Sequence, residues 1–284
     1  MTKARRNRRP LKDRILYGIV VLLLLAGGLI MVFPIFWLFS TSLRLAPELN
    51  VVPPHLLPDH WTLANFEKAF TKAPLLGYMW NSIAFATVST VFILLTSTIA
   101  GYIFAKFKFP GNNALFMLVL ATAIVPFEIY MVPLFLQMKT LGLIDKPLGL
   151  FLPFLVMSYG IFFMRQNTQT SVPDELLDAA RIDGMGEARI MLLMVPRLLA
   201  PAMSALAILA FIQAWTAFIW PLLILNNPKS FPMELGLSQF ANSFSVDFGL
   251  VSAAAVVAMA PTLIAFLFLR RRIVDGITLT GLKG

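Results

Sequence analysis

The sequence predicts an all-α integral membrane protein of six transmembrane helices, with both termini cytoplasmic and a cytoplasmic helix hairpin between the fourth and fifth spans. Three observations predict it. First, 58% of the 284 residues are hydrophobic and only 13% are charged, with a mean hydropathy of +0.80. A soluble domain is roughly 45–50% apolar and about 25% charged, so this chain lacks the polar surface to cover a globule in water. Second, six apolar stretches approach the ~20 residues that a helix needs to cross a bilayer. Third, the cations are sided: 17 of the 23 Lys and Arg fall on one set of connecting segments and 6 on the other. The richer set marks the cytoplasmic face.

The elements follow in order. Residues 1–14 form a basic cytoplasmic tail carrying Lys3, Arg5, Arg6, Arg8, Arg9, Lys12 and Arg14. Such a tail suits anionic membrane lipid and not nucleic acid. Spans are expected at residues 15–39, 81–105, 114–136, 148–164, 202–225 and 250–269, which together make a six-span domain over 15–269. The first is too long for the apolar region of a signal peptide, and no small-x-small cleavage site follows it, so it reads as a retained helix. Within the outside segment 40–80, residues 63–70 predict a short helix with Thr62 as its cap and Phe66 and Phe70 on one face. A basic turn at 106–113 and the loop 165–201 lie inside, and residues 270–284 form a second cytoplasmic tail with Arg270, Arg271, Arg272 and Lys283.

Much chemistry is excluded. With no cysteine and only His55 and His60, thiol catalysis, iron–sulfur clusters and Cys-ligated zinc are ruled out, and no metal site is expected. No phosphate-binding G-x-x-x-x-G-K-S/T loop occurs, so ATP is not hydrolysed on such a loop here. No catalytic constellation is found, and an enzyme is not expected. Glu128 is the one ionisable residue well inside a span, too few for the relay of buried charges that a proton-driven carrier uses.

The loop 165–201 is different. Ser171-Val172-Pro173-Asp174 reads as a helix start, with Ser171 as cap, and Asp174, Glu175 and Asp178 place negative charge at the positive end of that helix. Leu176, Leu177 and Ala180 are expected on one face, Ala179 keeps the surface shallow, and Gly184 ends the helix in a left-handed turn. A second short helix from Glu187 ends at Pro196. Five of the 14 acidic residues (Asp174, Glu175, Asp178, Asp183 and Glu187) fall in this hairpin. Pattern alone admits two readings, a contact surface for a partner or an interfacial helix pair packed on its own protein.

The stretch D-E-L-L-D-A-A-R-I-D-G-M-G-E-A-R-I, from Asp174 to Ile190, resembles the E-A-A-x-x-x-G coupling loop of ABC importer permeases. F-P-I-F-W-L-F-S-T-S-L-R (33–44), N-S-I-A (81–84), A-W-T-A-F-I-W-P-L (214–222) and G-I-T-L-T-G-L-K-G (276–284) resemble further signatures of the MalG-like group of carbohydrate importer permeases, in the family's order. The resemblance implies a permease subunit in a bacterial inner membrane. It implies a second permease subunit as heterodimer partner, an ABC ATPase dimer and an extracytoplasmic solute-binding protein that delivers a sugar. No cofactor is expected on this chain; ATP and Mg belong to the ATPase. By position, Asp178 stands where the family has Glu and would face a cation on the ATPase. Ala179 and Ala180 would allow close approach beside Asp183, and Gly184 would make the turn.

Candidates for the substrate path are the polar and aromatic residues within spans: Glu128, Gln213, Trp215 and Thr216, with Asn81 near the outer end of the second span. Aromatic faces beside amide and hydroxyl groups suit a sugar. Trp215 and Trp220 are read equally as packing or interfacial residues, and Asn81 and Ser82 as helix caps. The loop 226–248 would turn toward the binding protein. A polyol phosphate or an acidic sugar derivative is the rival substrate, and an ion-coupled secondary carrier is the rival class.

Overall fold

The computed structural model describes residues 11–53, 55–244 and 247–281. Five of the N-terminal cations (Lys3, Arg5, Arg6, Arg8 and Arg9) and Lys283, with the end of the C-terminal signature, lie outside the described residues. Every regular element among the described residues is helical. Two compact units divide the chain. One runs to residue 71 and adds residues 244–256; the other holds residues 72–243 and the remainder of the last helix.

In the first unit, α1 (Leu11–Ser42) is a 32-residue helix, about 48 Å long at 1.5 Å per residue. Its apolar side chains are exposed all round, Leu24 at 70% and Met31 at 80%, which water would not tolerate and lipid does. The short helix expected nearby is α2 (Ala64–Lys72), and Thr62 Oγ1 accepts from the Ala64 N–H at 3.1 Å. Its buried face, however, is Asn65 and Ala69, while Phe70 is 43% exposed. The reason is polar: Asn65 Nδ2 donates to the Ser42 and Arg44 carbonyls at 3.0 and 2.7 Å. Those carbonyls have left the α1 ladder and need a donor.

The second unit is built around α3 (Leu75–Lys106), a 32-residue apolar helix. After it come α4 (Asn112–Ile124), α5 (Phe127–Thr140), α6 (Pro147–Phe151) and α7 (Ser158–Ser171). Then come α8 (Asp174–Ile182), α9 (Glu187–Arg189), a π turn over Ile190–Met194 and α10 (Val195–Leu198). The chain continues through α11 (Ala200–Trp215), α12 (Ile219–Ile224), α13 (Met233–Ser243) and α14 (Phe248–Gly281). Helices α7 and α11 pack along α3. Small residues allow the closest approach: a Cβ on Gly101 would lie 2.7 Å from Met164 Cβ, and one on Gly160 would lie 2.5 Å from Ser97 Oγ. Small-xxx-small spacing of this kind replaces the hydrophobic drive that lipid does not supply.

Three expected spans are not continuous helices. The third bends by 100° between α4 and α5, at Val125-Pro126. The fourth bends by 40° before α7, and the fifth breaks over residues 216–218 between α11 and α12. Pro126 accounts for the first, since a residue before proline is pushed out of the helical region and Val125 is extended at ψ 118°. The helix that holds the last expected span, α14, runs beyond 250–269 to Gly281.

Candidate functional site

Two features of the second unit carry chemistry, the hairpin and a cavity. The hairpin starts later than expected. Pro173 forces Val172 into an extended conformation (φ −118°, ψ 97°), so α7 continues to Ser171 and α8 begins at Asp174. Ser171 is therefore the last residue of one helix and not the cap of the next. The turn is as expected. Gly184 has φ 82°, and the Met185 and Gly184 N–H groups donate to the Ala180 and Arg181 carbonyls at 2.9 and 3.0 Å, a Schellman ending that favours glycine. Pro196 does not end the second helix. The π turn widens the backbone ahead of it, where its missing N–H and its ring are accommodated. The helical path continues to Leu198, and α11 then leaves at 82°.

The hairpin is joined to the membrane helices by a continuous core. Leu177, Ala180, Ile190 and Val195 are buried with Tyr102 and Ile93 of α3, Met164 of α7 and Leu206 of α11. Of the face expected to hold Leu176, Leu177 and Ala180, only Leu177 and Ala180 turn inward; Leu176 is 41% exposed. Ala180 is thus covered by its own chain, while Ala179, Asp183 and Gly184 are exposed. Ile182 is 85% exposed. The sequence reading passed over it, although a β-branched apolar residue just before a glycine turn in a polar hairpin is a visible signal.

Ion pairs lock the same hairpin. Lys106 Nζ at the end of α3 binds Asp174 Oδ1 at 2.7 Å, and Arg181 binds Asp178 Oδ1 through Nη1 and Glu187 Oε1 through Nε, both at 2.6 Å. Tyr102 Oη donates to Glu187 Oε2 at 3.3 Å. The Lys106 hydrogen bond holds the Asp174 carboxyl below its ordinary range, and Arg181 does the same to Glu187. The Glu187 and Asp178 carboxylates in turn raise Arg181. Asp178 therefore has an internal partner, whereas Glu175 and Asp183 form no ion pair among the described residues.

The cavity has a volume of about 600 Å³ and forms where the helices break. Phe127 and Tyr130 open α5 after the 100° bend, Phe154 precedes the bend before α7, and Thr216 to Phe218 link α11 to α12. Interrupted helices free backbone groups where they border a cavity. Trp220 forms the far wall, its Nε1 donating to the Gly149 carbonyl at 3.1 Å and its ring edge-on to Phe127. Gln213 and Thr216 add an amide and a hydroxyl to the lining beside the Tyr130 phenol, and Ile93 belongs both to this wall and to the core that holds the hairpin.

The structure brings only some of the candidates together. Gln213 and Thr216 line the cavity. Trp215 is buried at 2% exposure and stacks on Phe211, outside the lining. Glu128 is exposed in the first turn of α5. Asn81 is engaged elsewhere, with Nδ2 donating to the Lys229 and Phe231 carbonyls at 2.8 and 3.1 Å. Beside it the buried Ser82 Oγ accepts the Met233 N–H at 2.7 Å, so the second span fixes the start of α13.

Known proteins match this architecture. Residues 97–278 match the family model described as binding-protein-dependent transport system inner membrane component. The arabinooligosaccharides transport system permease protein AraQ of Halalkalibacterium halodurans is 36% identical, over 90% of this chain and 92% of that protein. The sulfoquinovosyl glycerol transport system permease protein SmoH of Agrobacterium fabrum is 34% identical, over 92% and 91%. A chain of a bacterial ABC transporter involved in the import of the acidic polysaccharide alginate superposes with a TM-score of 0.83 at 21% identity, covering 93% of this chain and 98% of that one. The chain belongs to the family of binding-protein-dependent transport system inner membrane components.

Proposed function

We propose that this chain is one of two permease subunits of an ABC importer that carries a sugar or sugar derivative inward. Six spans cross the membrane: α1, α3, α4–α5, α6–α7, α11–α12 and α14. Both termini lie inside, as the 17-to-6 distribution of cations supports. The α8–α10 hairpin docks on an ABC ATPase subunit through Ala179, Ile182, Asp183 and Gly184, and ATP with its Mg ion is bound and hydrolysed on that partner. The 226–248 loop faces an external binding protein. The relatives' sugar and sulfosugar names support the substrate class, and so does a 600 Å³ cavity with aromatic walls and an amide and a hydroxyl at its edge.

One observation carries the reading: the hairpin shares its buried core with α3, α7 and α11 while its outer surface, Ile182 above all, is bare. A push on the outer surface reaches Ile93 and the cavity through packed side chains, and close-packed interiors transmit displacement. Gly184→Pro tests it. Proline fixes φ near −65° and removes an N–H, whereas Gly184 needs φ 82° and donates to Arg181. In the reconstituted importer this variant hydrolyses ATP without solute uptake, its spans still folded. Normal uptake by Gly184→Pro would overturn the coupling role.

A further inference from the structure

Arg44 stands two residues beyond α1 and is 2% exposed. Its Nη2 donates to Ser40 Oγ at 2.9 Å and to the His55 carbonyl, and its guanidinium lies 4.8 Å from the centre of the Trp37 ring. No carboxylate within the described residues pairs with it. Glu48, an acid four residues along the chain, already accepts the Asp59 and His60 N–H groups at 2.9 and 3.1 Å. Arg44 Nε has no partner, nor has the buried hydroxyl of Thr41. Both residues line a cavity of about 320 Å³, whose wall also holds Ser252 and the apolar Trp37, Leu38 and Phe248.

A guanidinium stays charged at any physiological pH, and a buried charge with no counter-ion is strongly unfavourable. Two unused donors around an empty volume beside that charge fit an oxyanion, which arginine grips through its planar fork and a hydroxyl completes. The site lies just past a helix of about 48 Å, longer than the ~30 Å hydrocarbon core, and so at the depth of lipid headgroups. We propose that Arg44, Thr41 and Ser252 form a binding site for one phosphate group, that of a phospholipid headgroup at the end of α1. This rests on α1 crossing the membrane and is independent of the solute carried and of the ATPase contact.

The test uses the full-length chain with its partner subunits, stripped of lipid in detergent. It is titrated separately with short-chain phosphatidylglycerol and with inorganic phosphate, and followed by native mass spectrometry and thermal unfolding. The expected result is one phosphatidylglycerol held per chain with a raised unfolding temperature, and binding weakened about tenfold or more by Thr41→Val and by Arg44→Gln. Thr41→Val leaves the Arg44 contacts to Ser40 and His55 in place, so it decides the matter even where Arg44→Gln disturbs the loop. Lipid retained while phosphate is inert identifies the headgroup. Equal stabilisation by millimolar phosphate, with no lipid held, keeps the phosphate site and rejects the lipid as its source. Binding of neither, or binding unaltered in Thr41→Val, overturns the site. Loss of the ATPase during purification bears only on the importer assembly.

Discussion

Leu177→Ala separates the hairpin's inner face from its outer one. Leu177 is 1% exposed within the core that unites α8 with α3, α7 and α11. Truncating a fully buried leucine costs about 2–5 kcal/mol, depending on how far the site collapses. This site is bounded by helices on several sides, so ~3 kcal/mol is the expected cost. At 1.4 kcal/mol per decade, that raises the population of the opened hairpin by about two orders of magnitude. Amide exchange across 176–182 should accelerate by roughly 100-fold in the variant, while exchange in the middle of α3 stays unchanged. Ile182→Ala is the control: the side chain is 85% exposed, so exchange should be unaffected. Exchange at 176–182 within about threefold of wild type in Leu177→Ala would refute the shared-core argument, since such a change is under 1 kcal/mol.

Other perturbations test the supporting geometry. Gly101→Val forces a Cβ to within 2.7 Å of Met164 Cβ and 2.8 Å of the Arg165 amide, and overpacking of that kind costs about 1–3 kcal/mol; thermal unfolding should show a lowered midpoint. Ser82→Ala strands the buried Met233 N–H, at a cost of about 1–3 kcal/mol, and should raise amide exchange at the start of α13 alone. Asp174 and Glu187 have lowered folded-state pKa values. Their stabilisation is therefore complete above the ordinary carboxylate value of about 4 and is lost as pH falls through the lowered ones. Exchange in 174–190, corrected for intrinsic rate, should be flat from about pH 8 to pH 5 and rise only below about pH 4.

What the sequence made legible follows from how local each determinant is. The Gly184 turn, the hairpin and the all-helical membrane class depend on residues within a few positions of one another, and glycine at a left-handed ending is a strong local signal. The breaks in the spans were less legible. Pro126 was visible, but the interruption at Thr216-Ala217-Phe218 contains neither proline nor glycine, and it is bounded by the tertiary hydrogen bond from Trp220 to Gly149, 71 residues away. The same holds for Asn81 and Ser82, whose partners lie about 150 residues along the chain. Ser171 looked like a cap because its composition fits one; Val172-Pro173 decided otherwise by steric restriction of the backbone. Leu177 and Ala180 turn inward while Leu176 of the same expected face turns outward, a choice that depends on where α3 and α7 sit and that no local pattern encodes.

The central claim is that the hairpin's bare outer face is the ATPase contact and its inner face the connection to the cavity. A photo-crosslinking amino acid placed at Ile182 in the assembled importer tests this most directly. The account predicts a crosslink to the ATPase subunit whose yield changes between the ATP-free and ATP-bound states. Crosslinks confined to lipid or to this chain itself, in both states, would contradict it.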